Sequence, residues 1–339
     1  MSTPAREQSG ERLGEHNGHI AEPGTQPHPA PTAPRRRMLL IVNPYAATVS
    51  DGMRNLVVHA LQGRFDVEAV DTKARGHATE LGRQAAREGY DVVVAFGGDG
   101  TVNEAANGLL GSETPLCALP GGSANVFAKM LGIPGELVDA TEHLLSMADD
   151  WRVRRVDLGV VNDRCFTFNS GIGLDATVVE RVDARPELKA RFGPYFFTWQ
   201  ALKALVRRYL VHAPKMQVDD GRHTVQGITT IVQNGAPFTY FHERPVRVSD
   251  GARLDSGRLV GAVLHRATPL AMALTGLRTM SPRMRVVGHR NISGLPEFST
   301  LTVRSADDRA LPLQVDGDFL GEVHEARYSI LPGALRVVS

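Results

Sequence analysis

The stretch Val92–Glu104, which reads VVVAFGGDGTVNE, joins an apolar strand pattern to a helical pattern through a loop of glycines. Its first five residues are apolar without alternation, as expected of a strand that is covered on both faces of a parallel sheet. Thr101 and Glu104 have the T-x-x-E spacing of a capping box, so we predict that the helix begins at this point. Three glycines in the loop can adopt backbone conformations closed to other residues, and they allow a ligand to approach the backbone closely: Gly97, Gly98 and Gly100.

The same alternation of strand and helix patterns extends outward from this stretch through residues 37–150. Sequences of this kind form a parallel sheet with helices on both faces, and ligands bind outside the carboxyl ends of its strands. We therefore predict an α/β domain over residues 37–150, with the glycine loop at its ligand-binding edge.

The pattern changes after Trp151, where short strand-like segments separated by turns replace the alternation. Helical patterns remain in three places: near residues 175–185, 195–210 and 270–280. We predict a second, mostly antiparallel β domain over residues 151–321. The last residues, 322–339, are a candidate to complete the first domain.

The overall composition predicts a soluble globular protein of the cytoplasm. Lys and Arg number 38 against 37 Asp and Glu, so the net charge of +1 provides no general attraction for nucleic acid. No run approaches the ~18 apolar residues of a membrane span, and the N-terminus lacks the apolar core of a secretion signal. Cys117 and Cys165 lie in apolar segments, which favours buried free thiols over a disulfide. Residues 1–36 are rich in Pro, Gly, Glu and His, so we predict a disordered tail.

A second glycine loop, LPGGSANVF at residues 119–127, follows the next strand and also leads into a helix. Backbone N–H groups in such loops and the positive end of the following helix favour phosphate. Because the two loops follow neighbouring strands, they are placed to hold one polyphosphate between them. The sequence contains neither the Walker A pattern nor the GxGxxG fingerprint, and no lysine lies in either loop.

Asp99 is an acid within a loop that otherwise suits a phosphate. A carboxylate beside phosphates is explained by a divalent cation between them, since Mg²⁺ prefers one or two carboxylates together with phosphate oxygens and water. The alternative is a local turn in which the side chain of Asp99 bonds nearby backbone N–H groups. The residues alone leave both interpretations open.

Several sequence blocks occur in the order seen in the diacylglycerol kinase catalytic family of lipid kinases, which includes sphingosine kinases: GGDGTVNEAANG, LPGGSANVFAKMLGIP, RRVDLG, FTFNSGIGLDATVV, ARLDSGRL and QVDGDFLG. The resemblance covers residues 38–339. It implies an NAD kinase/diacylglycerol kinase-like fold and the transfer of the γ-phosphate of ATP to the hydroxyl of a lipid. Diacylglycerol is the expected acceptor and phosphatidic acid the expected product.

The resemblance also implies roles for individual residues. Asp157, in RRVDLG, resembles an active-site aspartate of the family. QVDGD resembles the family's DGE segment, whose final acid is the base that accepts the lipid proton, so Asp318 takes that role with Asp316 beside it and Asp99 completes the catalytic group. Asp318 is one methylene shorter than the usual glutamate. The implied ATP site consists of Asn43, Thr48, Thr72, Gly97, Gly98, Asp99, Gly100, Thr101, Asn103 and Ser123.

Two metal positions are expected, one from the residues of the glycine loop and one from the resemblance. Asp99 is expected to help hold the Mg²⁺ that accompanies ATP. At ARLDSGRL some bacterial members carry a structural Mg²⁺, and Asp255 is present there, although Ser256 replaces the usual second ligand.

A lipid substrate implies transient contact with an anionic membrane surface and a peripheral location at the inner membrane face. The segment Gly193–Leu210 is a candidate interfacial helix, although packing of this helix in the core of the second domain is favoured. A second candidate is a basic cluster: Arg278, Arg283, Arg285, His289 and Arg290. A homodimer is left open.

Two other functions remain alternatives at this point. NAD kinases share a GGDGT loop, so the acceptor alcohol could be NAD or a sphingoid base. The chain could also be an inactive nucleotide-binding regulator that kept the phosphate loops and lost turnover.

Overall fold

Strands and helices alternate along the first half of the chain in a computed structural model that describes residues 35–210, 213–241, 244–281 and 284–339. The elements are β1 (Arg37–Val42), α1 (Asp51–Gln62), β2 (Asp66–Asp71), α2 (His77–Glu88), β3 (Val92–Gly97), α3 (Asp99–Gly108), β4 (Leu116–Pro120), α4 (Val126–Met130) and α5 (Leu137–Ser146).

The first four strands form a parallel array in the order β2-β1-β3-β4. Every residue of β3 and β4 is buried, which explains their apolar sequences, while the edge strand β2 alternates between exposed and partly buried residues. On the helical layers, α2 packs against α3, and α1 packs against α5. The predicted α/β architecture is confirmed.

Short strands dominate the second half. The elements are β5 (Val153–Val161), β6 (Arg164–Phe166), β7 (Asn169–Gly173), α6 (Leu174–Asp183), α7 (Pro186–Ala204) with a π-helical turn (Leu205–Tyr209), β8 (Met216–Asp219), β9 (Thr224–Gly227), β10 (Thr229–Gln233), β11 (Thr239–Phe241), β12 (Arg244–Val246), β13 (Leu259–Leu264), α8 (Pro269–Met280), β14 (Ile292–Phe298), β15 (Thr300–Ser305), β16 (Leu311–Val315), β17 (Asp318–Val323) and β18 (Glu325–Val338).

The long strand β18 joins the two halves of the fold. Its C-terminal part pairs with β4 through Val337 and Leu116, and its residues from Tyr328 to Val338 pair with β5, with a register shift between Leu331 and Leu335. Its N-terminal part pairs with β15, which continues the sheet through β8 to β9. How these strands divide into domains at residues 150 and 321 stays a prediction.

A second, antiparallel sheet has the order β14-β13-β10-β7-β16-β17. It packs against the extension of the first sheet through a shared apolar cluster that includes Phe166, Val232, Val263, Val303 and Tyr328. This sandwich confirms the predicted antiparallel second part. Its β7, β16 and β17 approach the carboxyl ends of β3 and β4 and supply one wall of the site.

Several expectations from the sequence can be compared directly with the structure. Cys117 and Cys165 are buried and free, as predicted, and burial raises the pKa of the Cys117 thiol to about 12. Within the described residues, no helix is both long and apolar enough to cross a bilayer. The predicted tail falls on residues 1–36, of which residues 1–34 lie outside the described part.

Candidate active site

The two glycine loops lie against each other at the ends of β3 and β4. Gly121 N donates to Gly97 O at 2.9 Å, which continues the strand pairing past the end of the sheet. A Cβ atom placed on Gly122 would lie 2.6 Å from Gly98 Cα, closer than any real Cβ contact. Only glycine therefore fits at this crossing. The loops form one continuous floor of backbone, as their positions on neighbouring strands predicted.

The capping-box prediction is wrong. Helix α3 begins at Asp99 with Gly98 as its N-cap, two residues before the predicted start, and no side chain caps it. Thr101 Oγ1 instead accepts from Asn43 Nδ2 at 3.0 Å, joining the loop after β1 to α3. Glu104 lies in the second turn and its carboxylate accepts from the backbone N–H of Gly76 and Ala78, at 2.8 and 3.2 Å. The glutamate therefore caps α2 because tertiary packing brings that helix end to it.

Asp99 braces the two loops. As the first residue of α3, it accepts a hydrogen bond through Oδ1 from Phe127 N at 3.0 Å, at the start of α4. The bond crosses from one loop to the other, so it differs from the local turn considered from the sequence. Burial, with smaller contributions from the charges of Asp316 and Asp318, raises the pKa of Asp99 to about 6.

Asp318 reaches the same place from the opposite end of the chain. The Asp316–Gly317 pair connects β16 to β17 with positive φ at both residues, 47° and 83°, which is the geometry of a two-residue type I′ turn. Asp318 follows the turn directly, and its carboxylate lies against Gly100, where a Cβ would come 2.5 Å from Oδ2. The hairpin thus delivers a partly buried acid to the first turn of α3.

Asp316 is buried beneath this hairpin and both its oxygens are occupied. Oδ1 accepts from the backbone N–H of Phe168 and Asn169, both at 3.0 Å. Oδ2 accepts from Thr167 N at 2.6 Å, Thr167 Oγ1 at 2.8 Å and Asn103 Nδ2 at 2.7 Å. Burial raises the pKa of Asp316, and the hydrogen bonds oppose that shift. The carboxylate joins α3, the β6–β7 connection and the β16–β17 turn.

A cavity of about 490 Å³ opens over the glycine floor. Eight of the predicted site residues line it: Asn43, Gly98, Asp99, Gly100, Thr101, Ser123, Asp316 and Asp318. Gly97 and Asn103 lie behind this wall, since Asn103 is buried and bonds to Asp316 and to Cys165 O. Thr48 and Thr72 do not line it, and their backbone N–H groups donate to Gly121 O and Val42 O at 3.0 and 2.7 Å.

Asp157 is also outside the cavity lining. Its buried carboxylate accepts from Gly257 N at 2.6 Å and from Gly333 N at 2.8 Å. Leu254 O accepts from the backbone N–H of Asp157 at 2.6 Å. The structure therefore gives Asp157 the contacts of a residue that secures loops to β5, and its predicted active-site role stays a prediction.

The two predicted metal positions differ in their surroundings. The carboxylate of Asp255 is exposed and pairs with the guanidinium of Arg253 at 3.0 Å, which lowers the pKa of Asp255. A cation there would have to displace the arginine, so this position does not fit a metal. At Asp99 the charges of Asp316 and Asp318 are close enough to contribute to its raised pKa, and the hydrogen bonds on Asp316 leave Asp99 and Asp318 as the pair of carboxylates that would suit a hard cation. No group of three or more His, Cys, Asp or Glu side chains arranged for a metal occurs in the part of the chain that the structure describes.

Among the described residues, the far half of the cavity is lined mainly by apolar side chains, and it also contains an acid that the sequence reasoning missed. Asp175, in the first turn of α6, accepts from Gln314 Nε2 at 2.6 Å, and its burial raises its pKa to about 6. Gln314 Oε1 accepts from Gly317 N at 2.9 Å, which connects Asp175 to the turn that carries Asp318. The apolar lining consists of Phe168, Val178, Val179, Phe238, Tyr240, Phe241 and Val246.

Arg75 is a second residue that sequence reasoning missed. It follows β2 at the same sheet edge as the glycine loops, and its Nη1 donates to Phe319 O at 3.3 Å, next to Asp318. Glu104 holds the adjacent backbone of Gly76. An exposed guanidinium therefore lies one residue from the acid of the hairpin.

Comparison with known proteins agrees with this arrangement. The family profile of the diacylglycerol kinase catalytic domain matches residues 37–161, and that of the YegS C-terminal NAD kinase beta sandwich-like domain matches residues 170–339. The diacylglycerol kinase of Staphylococcus saprophyticus subsp. saprophyticus is 24% identical over 295 residues, covering 85% of this chain and 91% of that protein. The diacylglycerol kinase of Staphylococcus aureus strain Newman is 24% identical over 295 residues, covering 85% and 88%.

Solved structures share the fold. A crystal structure of a diacylglycerol kinase from Bacillus anthracis str. Sterne matches with a TM-score of 0.66 at 19% identity, covering 90% of this chain and 97% of that one. A second structure from the same organism matches with a TM-score of 0.70 at 22% identity. The family profiles, together with the glycine floor and the acids that meet on it, confirm the resemblance seen in the sequence: the chain belongs to the diacylglycerol kinase catalytic family of phosphotransferases.

Proposed function

We propose that this protein is an ATP-dependent lipid kinase that transfers the γ-phosphate to a hydroxyl of diacylglycerol, giving phosphatidic acid. The observation that carries the proposal is the two-part cavity, in which a glycine floor with carboxylates adjoins an apolar chamber. The first part suits a polyphosphate, and the second suits the acyl region of a lipid. The related staphylococcal proteins are diacylglycerol kinases, which supports the same acceptor.

The nucleotide phosphates would lie on the glycine floor. The first N–H groups of α3 point outward from the helix start, where the helix dipole favours negative charge. Asp99 would hold Mg²⁺, with Asp318 beside it, and the cation would neutralise charge on the transferring phosphoryl group. The positive charge of the bound ion would also offset the repulsion between these carboxylates and the phosphates.

Asp318 is the residue best placed to accept the proton of the lipid hydroxyl. It lines the cavity, and its carboxylate lies at the start of α3, between the phosphate floor and the apolar chamber. Asp316 cannot share this work, because five hydrogen bonds occupy its oxygens. Its part is to hold the turn in position. General-base assistance of this kind is worth about 10²- to 10⁴-fold in rate.

The acceptor would enter the apolar chamber with its polar end toward Asp318. Asp175 is an acid among the chamber's mainly apolar described residues, and it lies at hydrogen-bond distance from Gln314. We propose that Asp175 orients a polar group of the lipid. The substrate also implies peripheral association with an anionic membrane at its cytoplasmic face.

The test is a panel assay with labelled ATP and Mg²⁺, offering diacylglycerol, sphingosine, ceramide and NAD to the purified full-length chain. Label in phosphatidic acid supports the proposal, and Asp318→Asn should lower the rate by at least about a hundredfold. Asp66→Asn is the matched control, because Asp66 is exposed at the amino end of β2, away from the glycine floor.

Other outcomes would replace the proposal. Label in sphingosine, ceramide or NAD would make the protein a kinase for another alcohol. Nucleotide binding without transfer to any of the four acceptors would make it a nucleotide-binding regulator.

A further inference from the structure

Two helices of the second half expose rows of large apolar side chains. In α7 and its π-helical turn the spacing is four, three and four residues, and in α8 it is four and three, so each row follows one helical face. Between 41% and 72% of the surface of each side chain is exposed. We call these residues the docking face: Tyr195, Trp199, Leu202 and Val206 with Leu270, Leu274 and Leu277.

Both helices cover the same side of the six-stranded sheet. Phe196 of α7, Leu205 of its π-helical turn and Met272 of α8 pack in one apolar cluster, to which β13 and β14 contribute Leu264 and Ile292. Since the inner faces converge on one cluster, the exposed rows are on the outer surface of this helical layer.

The docking face adjoins the cavity. The ring of Tyr195 packs edge-on against that of Phe241, with 6.1 Å between centroids, and Phe241 lines the apolar chamber. Thr198, one turn further along α7, also lines the chamber. Helix α8 is tied to the same region, because Thr279 O accepts from Arg247 N at 2.9 Å, directly after β12. The exposed rows therefore lead to the apolar end of the cavity.

The charge around these helices has one sign. Residues 188–218 contain six Lys or Arg and no Asp or Glu, and residues 265–294 contain five Arg and no Asp or Glu, in a chain with nearly equal numbers of acids and bases. Arg207 and Arg290 are exposed, whereas Arg285 pairs with Asp250 at 2.6 Å. Arg283, part of the basic cluster predicted from the sequence, lies outside the described residues. Apolar and aromatic side chains with adjacent cations match the chemistry of an anionic bilayer.

We propose that the docking face seats the protein on an anionic membrane, so that the lipid passes from the bilayer into the apolar chamber along α7. The proposal rests on the lipid kinase function above and assigns its membrane contact to named residues. It differs from the sequence-based expectation, which favoured a core position for the helix, and it adds α8. Tyr209, three residues after Val206, is buried and belongs to the inner face.

A second copy of the chain is the competing occupant of this face. An isologous contact would place the same patch against itself and bring cations of one protomer toward those of the other. Residues 188–218 and 265–294 contain no Asp or Glu, so these segments have no negative charge that could offset the repulsion. An anionic surface gains from the same charges.

The test is sedimentation of the full-length protein with vesicles of phosphatidylcholine, alone or with phosphatidylglycerol, in the absence of nucleotide. Leu202→Glu and Leu277→Glu should each lower partitioning onto the mixed vesicles by about tenfold or more, because each replaces an apolar contact with an anion. Leu56→Glu is the matched control, since Leu56 on α1 is 54% exposed but lies far from the docking face in the sequence and in another helical layer. Its partitioning should equal that of the wild type.

Turnover separates this proposal from the proposed function. With a short-chain diacylglycerol below its aggregation concentration, the two docking-face variants should keep wild-type rates, which also shows that they fold. With long-chain diacylglycerol in the mixed vesicles, their rates should fall with their binding. If the wild type phosphorylates no lipid but its vesicle binding still depends on Leu202 and Leu277, the proposed function fails and the docking face remains.

Three results would overturn the docking face: no binding of wild type to the mixed vesicles, binding that the two variants leave unchanged, or equal losses in Leu56→Glu. A change of the variants from dimer to monomer in solution, with vesicle binding unaffected, would assign the face to a second copy of the chain.

Discussion

Gly100→Ala is the sharpest perturbation that the candidate site offers. The new methyl group would point at the carboxylate of Asp318, with 2.5 Å between Cβ and Oδ2, and ordinary van der Waals contact begins at 3.4 Å. The oxygen must therefore move by about 0.9 Å. Misplacing a catalytic group by about 1 Å lowers turnover by about 10²-fold. We expect a fall in kcat of that size, equivalent to about 2.7 kcal/mol in the activation free energy.

The fold should not suffer from this change. Gly100 lies in the first turn of α3 and alanine is a better helix former, by up to about 1 kcal/mol within a helix. The atom it meets is the end of a side chain rather than backbone, so the displacement is local. We expect an unchanged or slightly raised free energy of unfolding in urea, alongside the lost activity.

A double-mutant cycle shows whether the effect passes through Asp318. The kcat of lipid phosphorylation would be measured for the wild type, Gly100→Ala, Asp318→Ala and the double variant. If the methyl group acts by moving the carboxylate, it should change kcat little once Asp318 is gone. An equal loss from Gly100→Ala in both backgrounds would show that the methyl group disturbs the phosphates instead. Wild-type kcat in Gly100→Ala would refute the assignment of Asp318 as the base.

Burial raises the pKa of Asp99 to about 6 from 3.8, so the folded protein binds this proton more tightly than the unfolded chain and loses stability as pH rises between these values. In metal-free buffer, Asp99→Asn should therefore raise Tm at about pH 8, with a gain that disappears toward about pH 4 in thermal denaturation. Asp175→Ala should raise the KM for the lipid about tenfold or more and leave the KM for ATP unchanged in steady-state kinetics. Arg75→Ala should do the reverse, because Arg75 follows β2 at the sheet edge that carries the glycine loops and its guanidinium bonds the carbonyl of Phe319, next to Asp318. Glu104→Gln should lower the free energy of unfolding by about 1 kcal/mol in urea denaturation, as the weakening of a helix cap does.

Local sequence patterns were sufficient to predict the strands, helices and loops that depend on neighbouring residues. The unbroken apolar run of β3 and the glycines after it predicted a buried parallel strand followed by a helix, and the second loop on the next strand predicted the shared floor. Asp318 could be named because the QVDGD block resembles a family segment. The position of Asp318 beside Gly100 could not be predicted, because the two residues are 218 positions apart and meet only through the hairpin.

Contacts between distant segments account for what the sequence did not reveal. Thr101 and Glu104 have the spacing of a cap, but partners from the loops after β1 and β2 take both side chains. Asp175 has no local signature, because an acid in the first turn of a helix is common wherever the dipole favours it. Its role depends on Gln314, which lies 139 residues later.

The hydrogen bond from Asn103 to Asp316 joins helix α3 to the β16–β17 turn. Asn103 belongs to the helix whose opening turn would face the phosphates, and Asp316 begins the turn that carries Asp318, the proposed proton acceptor. If the proposed function holds, this buried hydrogen bond helps fix the separation between the phosphate-binding turn and the proton acceptor in the folded protein, before either substrate binds. An amino-acid change that loosens this buried joint would misalign the reaction without altering a single group that the substrates touch.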